Sequence, residues 1–181
     1  GLNTKLKASK ERPVTMSVKD FDNNGKSELI LNWYPPNDDQ PWPFAGKMDM
    51  TQQLPFLKKK ALKFEDYAHL TYETMFDPAQ RQGAVAYTAN WLQTSVLLND
   101  GSGFRLEALP LEAQVAPAFG IIAQDLDGDN LTDIWLGGNF YGLKPEVGRH
   151  DSSRGVFLRG DGKGGFTCLP PADSGLFVKG E

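Results

Sequence analysis

The stretch DLDGDNLTD, residues 125–133, holds four aspartates in nine positions. Asp125, Asp127 and Asp129 alternate, a spacing that directs their side chains toward one centre in a tight turn. Two unit charges about 4 Å apart repel each other by roughly 4 kcal/mol at an effective dielectric constant near 20. The cluster therefore needs surrounding water, a counter-charge or a metal ion.

Two further groups complete a possible ligand shell. Leu131 can offer its backbone carbonyl, and Asp133 lies at the start of the next predicted strand. A set of five or more oxygen ligands, without nitrogen or sulfur, is the coordination that Ca²⁺ prefers. The spacing therefore predicts a calcium site formed by Asp125, Asp127, Asp129, Leu131 and Asp133.

A second stretch repeats this pattern. DFDNNGKSELIL (20–31) aligns with DLDGDNLTDIWL (125–136), with acids at positions 1, 3 and 9 and three apolar residues after them. Position 6 requires a residue that tolerates positive φ, and Gly25 and Asn130 both do. The alignment predicts a second site formed by Asp20, Asp22, Asn24, the carbonyl of Lys26, and Glu28.

The calcium loop of an EF-hand starts in the same way but ends with a bidentate Glu at position 12, between two helices. Position 12 is Leu31 in one loop and Leu136 in the other, and the flanking residues are β-like, so the EF-hand is excluded. A pair of solvated turns without metal is the alternative, because Asp and Asn are common turn residues.

A second pair of segments recurs in the same order. VLLNDGSGF (96–104) and VFLRGDGKGGF (156–166) each contain an apolar strand, a glycine-rich turn and a returning aromatic residue. The first copy, about 14–110, is longer than the second, about 116–171, because it carries extra residues. Helical spacing of apolar residues within the extra part predicts a short two-helix insertion at about 47–80.

The remaining pattern is that of a mainly β protein. Short strands are predicted at GIIAQ (120–124), DIWLGG (133–138) and AVAYTANWL (84–92), separated by glycine-rich turns. A repeat of short strands with turn signals is typical of propeller blades of four strands each. We therefore expect 1–181 to be a single partial β-propeller segment of about two to three blades.

Composition excludes several classes of protein. The net charge of −4 provides no basic footprint for nucleic acid. No apolar run is long enough to span a bilayer. No signal peptide is visible either, but this absence does not indicate a cytoplasmic protein. The single cysteine, Cys168, excludes an internal disulfide and is expected to be a small, partly buried strand residue.

At these residues the sequence resembles the FG-GAP/VCBS repeat family, the integrin-alpha-like propeller repeats, whose blades carry a D-x-[DN]-x-[DN]-G-x-x-[DE] calcium loop. APAFGIIAQDLDGDNLTDIWLGGN (116–139) fits that pattern, with Asn130 in the glycine position. Together with GNFYGLKPEVGRHDSSRGVFLRGDGKGGF (138–166), it is similar to the exported ASPIC/UnbV group. The resemblance covers nearly the whole chain.

The resemblance implies a propeller stabilised by structural Ca²⁺ in a secreted, periplasmic or cell-surface protein. The function that we expect is a non-enzymatic role in adhesion, by binding a protein or glycan ligand. The resemblance also implies that the chain is a fragment of a longer propeller. The unpaired strands of an incomplete propeller could then support self-association.

The alternative function is a carbohydrate-active enzyme or its sugar-binding accessory module. Trp33, Tyr34, Trp42 and Phe44 lie among prolines and could form a sugar-binding platform, or could equally pack the insertion against the blades. His150 has Asp151 and Ser152 beside it, but catalytic triads are assembled from distant segments, so we expect no nucleophilic site. The closely spaced acids suit chelation better than the opposed acid and base of a glycosidase.

Overall fold

A computed structural model describes residues 1–143, 149–178 and 180. Residues 144–148, part of the 138–166 segment used in the resemblance, lie outside the described residues. The chain divides into two compact units. The N-terminal unit is Lys5–Leu92, and the C-terminal unit combines Gly1–Thr4 with Gln93–Glu181.

The N-terminal unit contains an antiparallel four-stranded sheet. Its strands lie in the order β3-β2-β1-β4. Strands β1 and β2 form a hairpin in which Lys19 pairs with Glu28, and alternation along β2 buries Ile30 while Leu29 is exposed. The strands are β1 (Val14–Lys19), β2 (Glu28–Trp33), β3 (Trp42–Pro43) and β4 (Val85–Ala89).

The predicted helical insertion is present, between β3 and β4, but the predicted number of helices is wrong. The described chain forms five short helices there instead of two. No helix of the five exceeds seven residues. The helices are α1 (Lys47–Gln53), α2 (Leu57–Lys60), α3 (Phe64–Ala68), α4 (Tyr72–Met75) and α5 (Pro78–Arg81).

Proline and capping side chains account for several of these breaks. Pro55 disfavours the helical conformation at Leu54, where α1 ends with φ −124° and ψ 81°. Thr71 caps the start of α4 by accepting a hydrogen bond from the backbone N–H of Thr74. Asp77 caps α5 in the same way and is followed by Pro78 at the first helical position, which favours a new helix start.

The core of the N-terminal unit joins the sheet to the insertion. Phe21, which lies in the loop between β1 and β2, stacks on Phe76 with ring centroids 4.2 Å apart. Burial of these apolar side chains is the main term that holds the short helices in place, since isolated helices of this length are unstable in water. The buried cluster comprises Phe21, Ile30, Met50, Leu54, Leu57, Met75 and Phe76.

The C-terminal unit contains a two-stranded and a four-stranded antiparallel sheet. Strands β5 (Ser95–Asn99) and β6 (Phe104–Ala108) form the smaller sheet. A 3₁₀ helix (Leu111–Gln114) follows it, and a short helix α6 (Pro171–Ser174) follows the larger sheet. The larger sheet has the order β10-β9-β8-β7 and consists of β7 (Gly120–Gln124), β8 (Asp133–Gly137), β9 (Val156–Gly160) and β10 (Phe166–Leu169).

The two sequence copies differ in how their strands pair. In the second copy, β8 pairs with β9, so that β7 to β10 form one up-and-down sheet. In the first copy, β2 pairs with β3, and the β5–β6 hairpin is a separate sheet. The 14–110 segment is thus divided between the two units. Strand β3, which precedes the insertion, pairs with β2 at the edge that corresponds to the one on β8 where β9 pairs in the second copy.

The structure is mainly β, with 29% of the described residues in strands and 18% in helices. Within the described residues the sheets are not closed into a ring. Strand β7 is an edge strand, and both of its faces are exposed. No helix in the described parts of the chain has the length and apolar character needed to cross a bilayer.

We expect the insertion to depend on Leu57. This side chain is fully buried, whereas Leu62 in the same insertion is 79% exposed. Leu57→Ala should lower the free energy of unfolding by about 3 kcal/mol, because it removes buried contacts and leaves a cavity. Leu62→Ala, the matched control, should change it by no more than about 0.5 kcal/mol. Urea denaturation measures both, and equal effects would contradict the packing described above.

Candidate metal-binding loops

The two acidic segments are equivalent connections between antiparallel strands. The first loop, residues 20–28, joins β1 to β2, and the second loop, residues 125–133, joins β7 to β8. The last residue of each loop begins the next strand and pairs across the hairpin, Glu28 with Lys19 and Asp133 with Gln124. The β-like flanks predicted from sequence are confirmed, and neither loop lies in a helix.

Each loop gathers three carboxylates. In the first loop Asp20, Asp22 and Glu28 offer oxygens that all lie within 4.8 Å of one another. In the second loop, oxygens of Asp125, Asp127 and Asp133, at positions 1, 3 and 9, also lie within 4.8 Å of one another. Acids separated by up to eight residues thus converge on one point in each loop, and each group could hold a metal ion.

The acid at position 9 is buried and accepts hydrogen bonds from its own loop. Glu28 accepts one from the backbone N–H of Phe21 at 2.9 Å, and Asp133 accepts one from the N–H of Leu126 at 3.0 Å. Asp133, which has no exposed surface, also accepts one from the N–H of Gly160 on β9 at 2.9 Å. The buried carboxylates therefore have polar partners, as buried charges require.

The acid at position 1 of the first loop is enclosed by backbone donors. Asp20 accepts hydrogen bonds from the N–H of Asn24 at 3.0 Å and of Gly25 at 2.8 Å. Desolvation works against ionisation, but hydrogen bonds from the backbone of Gly25, Asn24 and Asn23 outweigh it and hold the pKa of Asp20 below its ordinary value. Asp20 is therefore ionised at neutral pH, which a cation ligand requires.

The second loop repeats this arrangement. Asp125 accepts hydrogen bonds from the N–H of Gly128 at 2.7 Å and of Asn130 at 2.9 Å. In both loops the backbone N–H at position 6 donates a hydrogen bond to the carboxylate at position 1, from Gly25 to Asp20 and from Asn130 to Asp125. The two loops therefore share a backbone conformation as well as a sequence pattern.

Position 5 also behaves alike in the two loops. The side-chain Oδ1 of Asn24 accepts a hydrogen bond from the N–H of Lys26 at 2.9 Å, and Oδ1 of Asp129 accepts one from the N–H of Leu131 at 2.8 Å. Asp129 stands outside the triad of its loop. Ligation by Asn24, Asp129 and the carbonyls of Lys26 and Leu131 stays a prediction.

Two positions in each loop adopt positive φ. At position 6 these are Gly25, with φ 86°, and Asn130, with φ 65°, as predicted. Position 4, which was not predicted from the sequence, does the same, with φ 58° at Asn23 and φ 86° at Gly128. The first loop has asparagine at position 4 and glycine at position 6, and the second loop has the reverse. Both residue types tolerate positive φ, so the second loop keeps the same backbone conformation although asparagine replaces the expected glycine at position 6.

A basic residue at the second loop was also not predicted from the sequence. Arg159 on β9 places its Nε 2.8 Å from Oδ2 of Asp127 and its Nη2 3.3 Å from Oδ2 of Asp129. The close approach of β9 depends on Gly160, where a Cβ would overlap the carbonyl oxygen of Thr132. The sequence feature that could have indicated this ion pair is a single arginine in the apolar run VFLRG. Its contacts are shown only by the pairing of β8 with β9.

The donor set fits a hard divalent cation. The converging side chains in both loops are carboxylates, which suit Ca²⁺ and Mg²⁺ and lack the nitrogen and sulfur ligands that favour zinc or copper. The guanidinium of Arg159 already brings a cation to Asp127 and Asp129. The groups that would hold the ion are therefore Asp20, Asp22 and Glu28 in one loop, and Asp125, Asp127 and Asp133 in the other.

Three of the four aromatic residues considered as a sugar platform, Trp33, Trp42 and Phe44, lie on neighbouring strands or contact each other. Trp33 packs edge-on against Phe44, with ring centroids 5.8 Å apart, and pairs with Trp42 across β2 and β3. The indole N–H of Trp42 donates to Asp38 at 2.8 Å. Trp33, Tyr34 and Trp42 are half-buried, and Phe44 is 40% exposed.

An open cavity of about 360 Å³ lies in the C-terminal unit beside Glu112, Arg154 and Cys168. Desolvation, with a smaller effect of Glu112, raises the pKa of the Cys168 thiol above its ordinary value. A thiol is a weak nucleophile when it is protonated. Cys168 lies half-buried on β10, as expected for a strand residue.

The fully buried carboxylate of Asp133 provides a test of the second loop without metal. Asp133→Asn should lower the free energy of unfolding by about 2 kcal/mol, because an amide presents one oxygen to two backbone N–H donors. Urea denaturation in EDTA measures this loss. Asp151→Asn, at an exposed position, is the control and should change stability by less than about 0.5 kcal/mol. If Asp133→Asn lowered the free energy of unfolding by no more than the control does, the hydrogen bonds described for Asp133 would be contradicted.

The depressed pKa of Asp20 predicts a dependence of stability on pH. A carboxylate with a lower pKa in the folded state stabilises the protein above its unfolded pKa of about 3.9, and this contribution disappears as pH falls through the folded pKa. In metal-free buffer, Asp20→Asn should therefore be less stable than the wild type at pH 7, and the difference should shrink below about pH 4. Urea denaturation at a series of pH values measures it. A difference that is constant with pH would be the contrary result.

No protein-family model, curated protein or solved structure matches the chain.

Proposed function

We propose that this chain is a non-enzymatic calcium-binding segment of a β-propeller, in a secreted or surface protein that binds a protein or glycan partner. The observation that carries the calcium part is the repetition of one loop structure in two separate units. Both loops bring acids 1, 3 and 9 within 4.8 Å of one another and share the hydrogen bond from position 6 to position 1.

Charge is the physical reason for a cation. Three carboxylates whose oxygens lie within 4.8 Å of one another repel, and a cation placed among them would offset that repulsion. Ca²⁺ accepts six to eight oxygen ligands at about 2.3–2.6 Å in flexible geometry. It would supply two positive charges at the point where the side chains of Asp20, Asp22 and Glu28 converge, and likewise in the second loop.

The residues of each loop have distinct tasks in this proposal. The acids at positions 1 and 3 lie in the turn, whereas Glu28 and Asp133 belong to the following strand. A cation held by both groups would cross-link the turn to the second strand of the hairpin. The buried acids orient the site, because hydrogen bonds from Phe21 and Leu126 hold their carboxylates toward the loop.

The propeller part of the proposal is supported by the second copy. Strands β7 to β10 form an antiparallel sheet whose spatial order follows the chain, and propeller blades are four-stranded sheets of this kind. The exposed apolar residues of the edge strand β7, Ile121 and Ile122, are suited to packing against a further β-element. The location and the role in adhesion rest on the family resemblance alone.

Calcium is expected to stabilise the protein against heat. A dissociation constant of about 10⁻⁴ to 10⁻³ M is typical of extracellular modules. At about 10 mM Ca²⁺ each site would then contribute about 1.4–2.7 kcal/mol, so the melting temperature should rise by several degrees and fall again in EDTA. Circular dichroism during heating measures the shift. No shift at this concentration would contradict the proposal.

Matched variants assign the effect to the loops. Asp127→Ala/Asp129→Ala should abolish the second-loop part of the calcium response, and Asp20→Ala/Asp22→Ala should abolish the first-loop part. Each pair removes two of the proposed ligands and leaves the buried acid of its loop in place. A double variant that kept the full calcium response would show that its loop is not a site.

A further inference from the structure

The two loops differ in charge at one ligand position. Position 5 is the neutral Asn24 in the first loop and the acidic Asp129 in the second. The ligand positions of the first loop therefore carry three carboxylates and those of the second loop carry four. A loop with one more negative charge would bind a divalent cation more tightly if nothing else differed.

Arg159 offsets that additional charge. Its guanidinium lies against the carboxylates of both Asp127 and Asp129, at 2.8 and 3.3 Å. One positive charge against four carboxylates leaves −3 at the ligand positions of the second loop, which equals the sum of the three ligand carboxylates of the first loop, not counting the side-chain charge of Lys26. Among the described residues, no lysine or arginine forms an ion pair with Asp20, Asp22 or Glu28.

The position of Arg159 is fixed by the sheet. It lies on β9, one residue after Leu158, which pairs with Ile134 on β8, and one residue before Gly160, which donates to Asp133. The backbone that carries the guanidinium is thus tied to the loop it neutralises. Because an arginine does not lose its proton in proteins, this positive charge is present at every pH at which the acids are ionised.

We propose that Arg159 is a built-in counter-ion that lowers the calcium affinity of the second loop and brings it close to that of the first. This inference rests on the proposed function, because it assigns a residue that regulates the same site. A divalent cation bound among Asp125, Asp127 and Asp133 is repelled by the guanidinium and competes with it for Asp127. The side chain is half-exposed, so solvent screens the effect but does not remove it.

A charge cycle at positions 129 and 159 tests the inference. The variants are Arg159→Gln, Arg159→Lys, Asp129→Asn, and Asp129→Asn combined with Arg159→Gln. The combined variant gives the second loop the position-5 residue type and the number of ligand carboxylates of the first loop. Isothermal titration calorimetry with CaCl₂ measures the affinity, in a background of Asp20→Asn/Asp22→Asn that disables the first loop. If that background fails to fold, the same variants are compared in the wild-type chain with a two-site fit.

The expected changes follow the charge. Arg159→Gln should lower the dissociation constant of the second loop by about ten-fold, which corresponds to about 1.4 kcal/mol. Asp129→Asn should raise it by about the same factor, and the combined variant should return to within about three-fold of the starting value. Arg159→Lys keeps the positive charge but loses the two-point contact with Asp127 and Asp129, so its dissociation constant should lie between those of the wild type and Arg159→Gln. Arg105→Gln, which removes an exposed arginine paired with Glu107, is the control and should have no effect.

An unchanged or increased dissociation constant in Arg159→Gln would overturn the inference. An increase would instead show that the guanidinium holds Asp127 and Asp129 in place for the metal. Failure of the proposed function is recognised by a separate result: the parent protein would bind no calcium up to about 10 mM. In that case binding by Arg159→Gln alone would still support the counter-ion role, and binding by neither protein would overturn both proposals.

Discussion

The buried carboxylate at the end of each acidic loop is the interaction on which both candidate sites depend. Glu28 and Asp133 each begin the second strand of a hairpin, and each accepts a hydrogen bond from the second residue of its own loop. This bond closes the loop back onto the strand. It brings the last acid close to the first two, which the sequence separates by six to eight residues. A buried carboxyl group without such polar partners would destabilise the fold.

The crowding of acids is resolved by several contacts that act together. Backbone N–H groups enclose Asp20 and Asp125, so the loop itself stabilises negative charge at position 1. In the second loop Arg159 adds a full positive charge. The remaining negative charge is directed at one point in each loop, and this is the arrangement from which a divalent cation site is inferred.

The two loops show how one conformation tolerates different residues. Glycine and asparagine exchange places between positions 4 and 6, since both residues can adopt positive φ. An asparagine at position 5 of one loop corresponds to an aspartate in the other, where Arg159 faces it. Phe21 ties the first loop to the helical insertion by stacking on Phe76. The shared element is the backbone conformation, and each unit supports it with different neighbours.

The sequence alone determined the two loops, their β flanks, the strands near them and the place of the insertion, because turn chemistry and apolar alternation are local properties. Only the tertiary structure decided the strand partners. It placed β3 beside β2 in one unit and β9 beside β8 in the other, and so it brought Arg159 to Asp127 and Asp129. It also decided that the insertion forms five short helices. Pairing between strands and packing between helices join residues that are far apart in the chain, and no local pattern specifies those contacts.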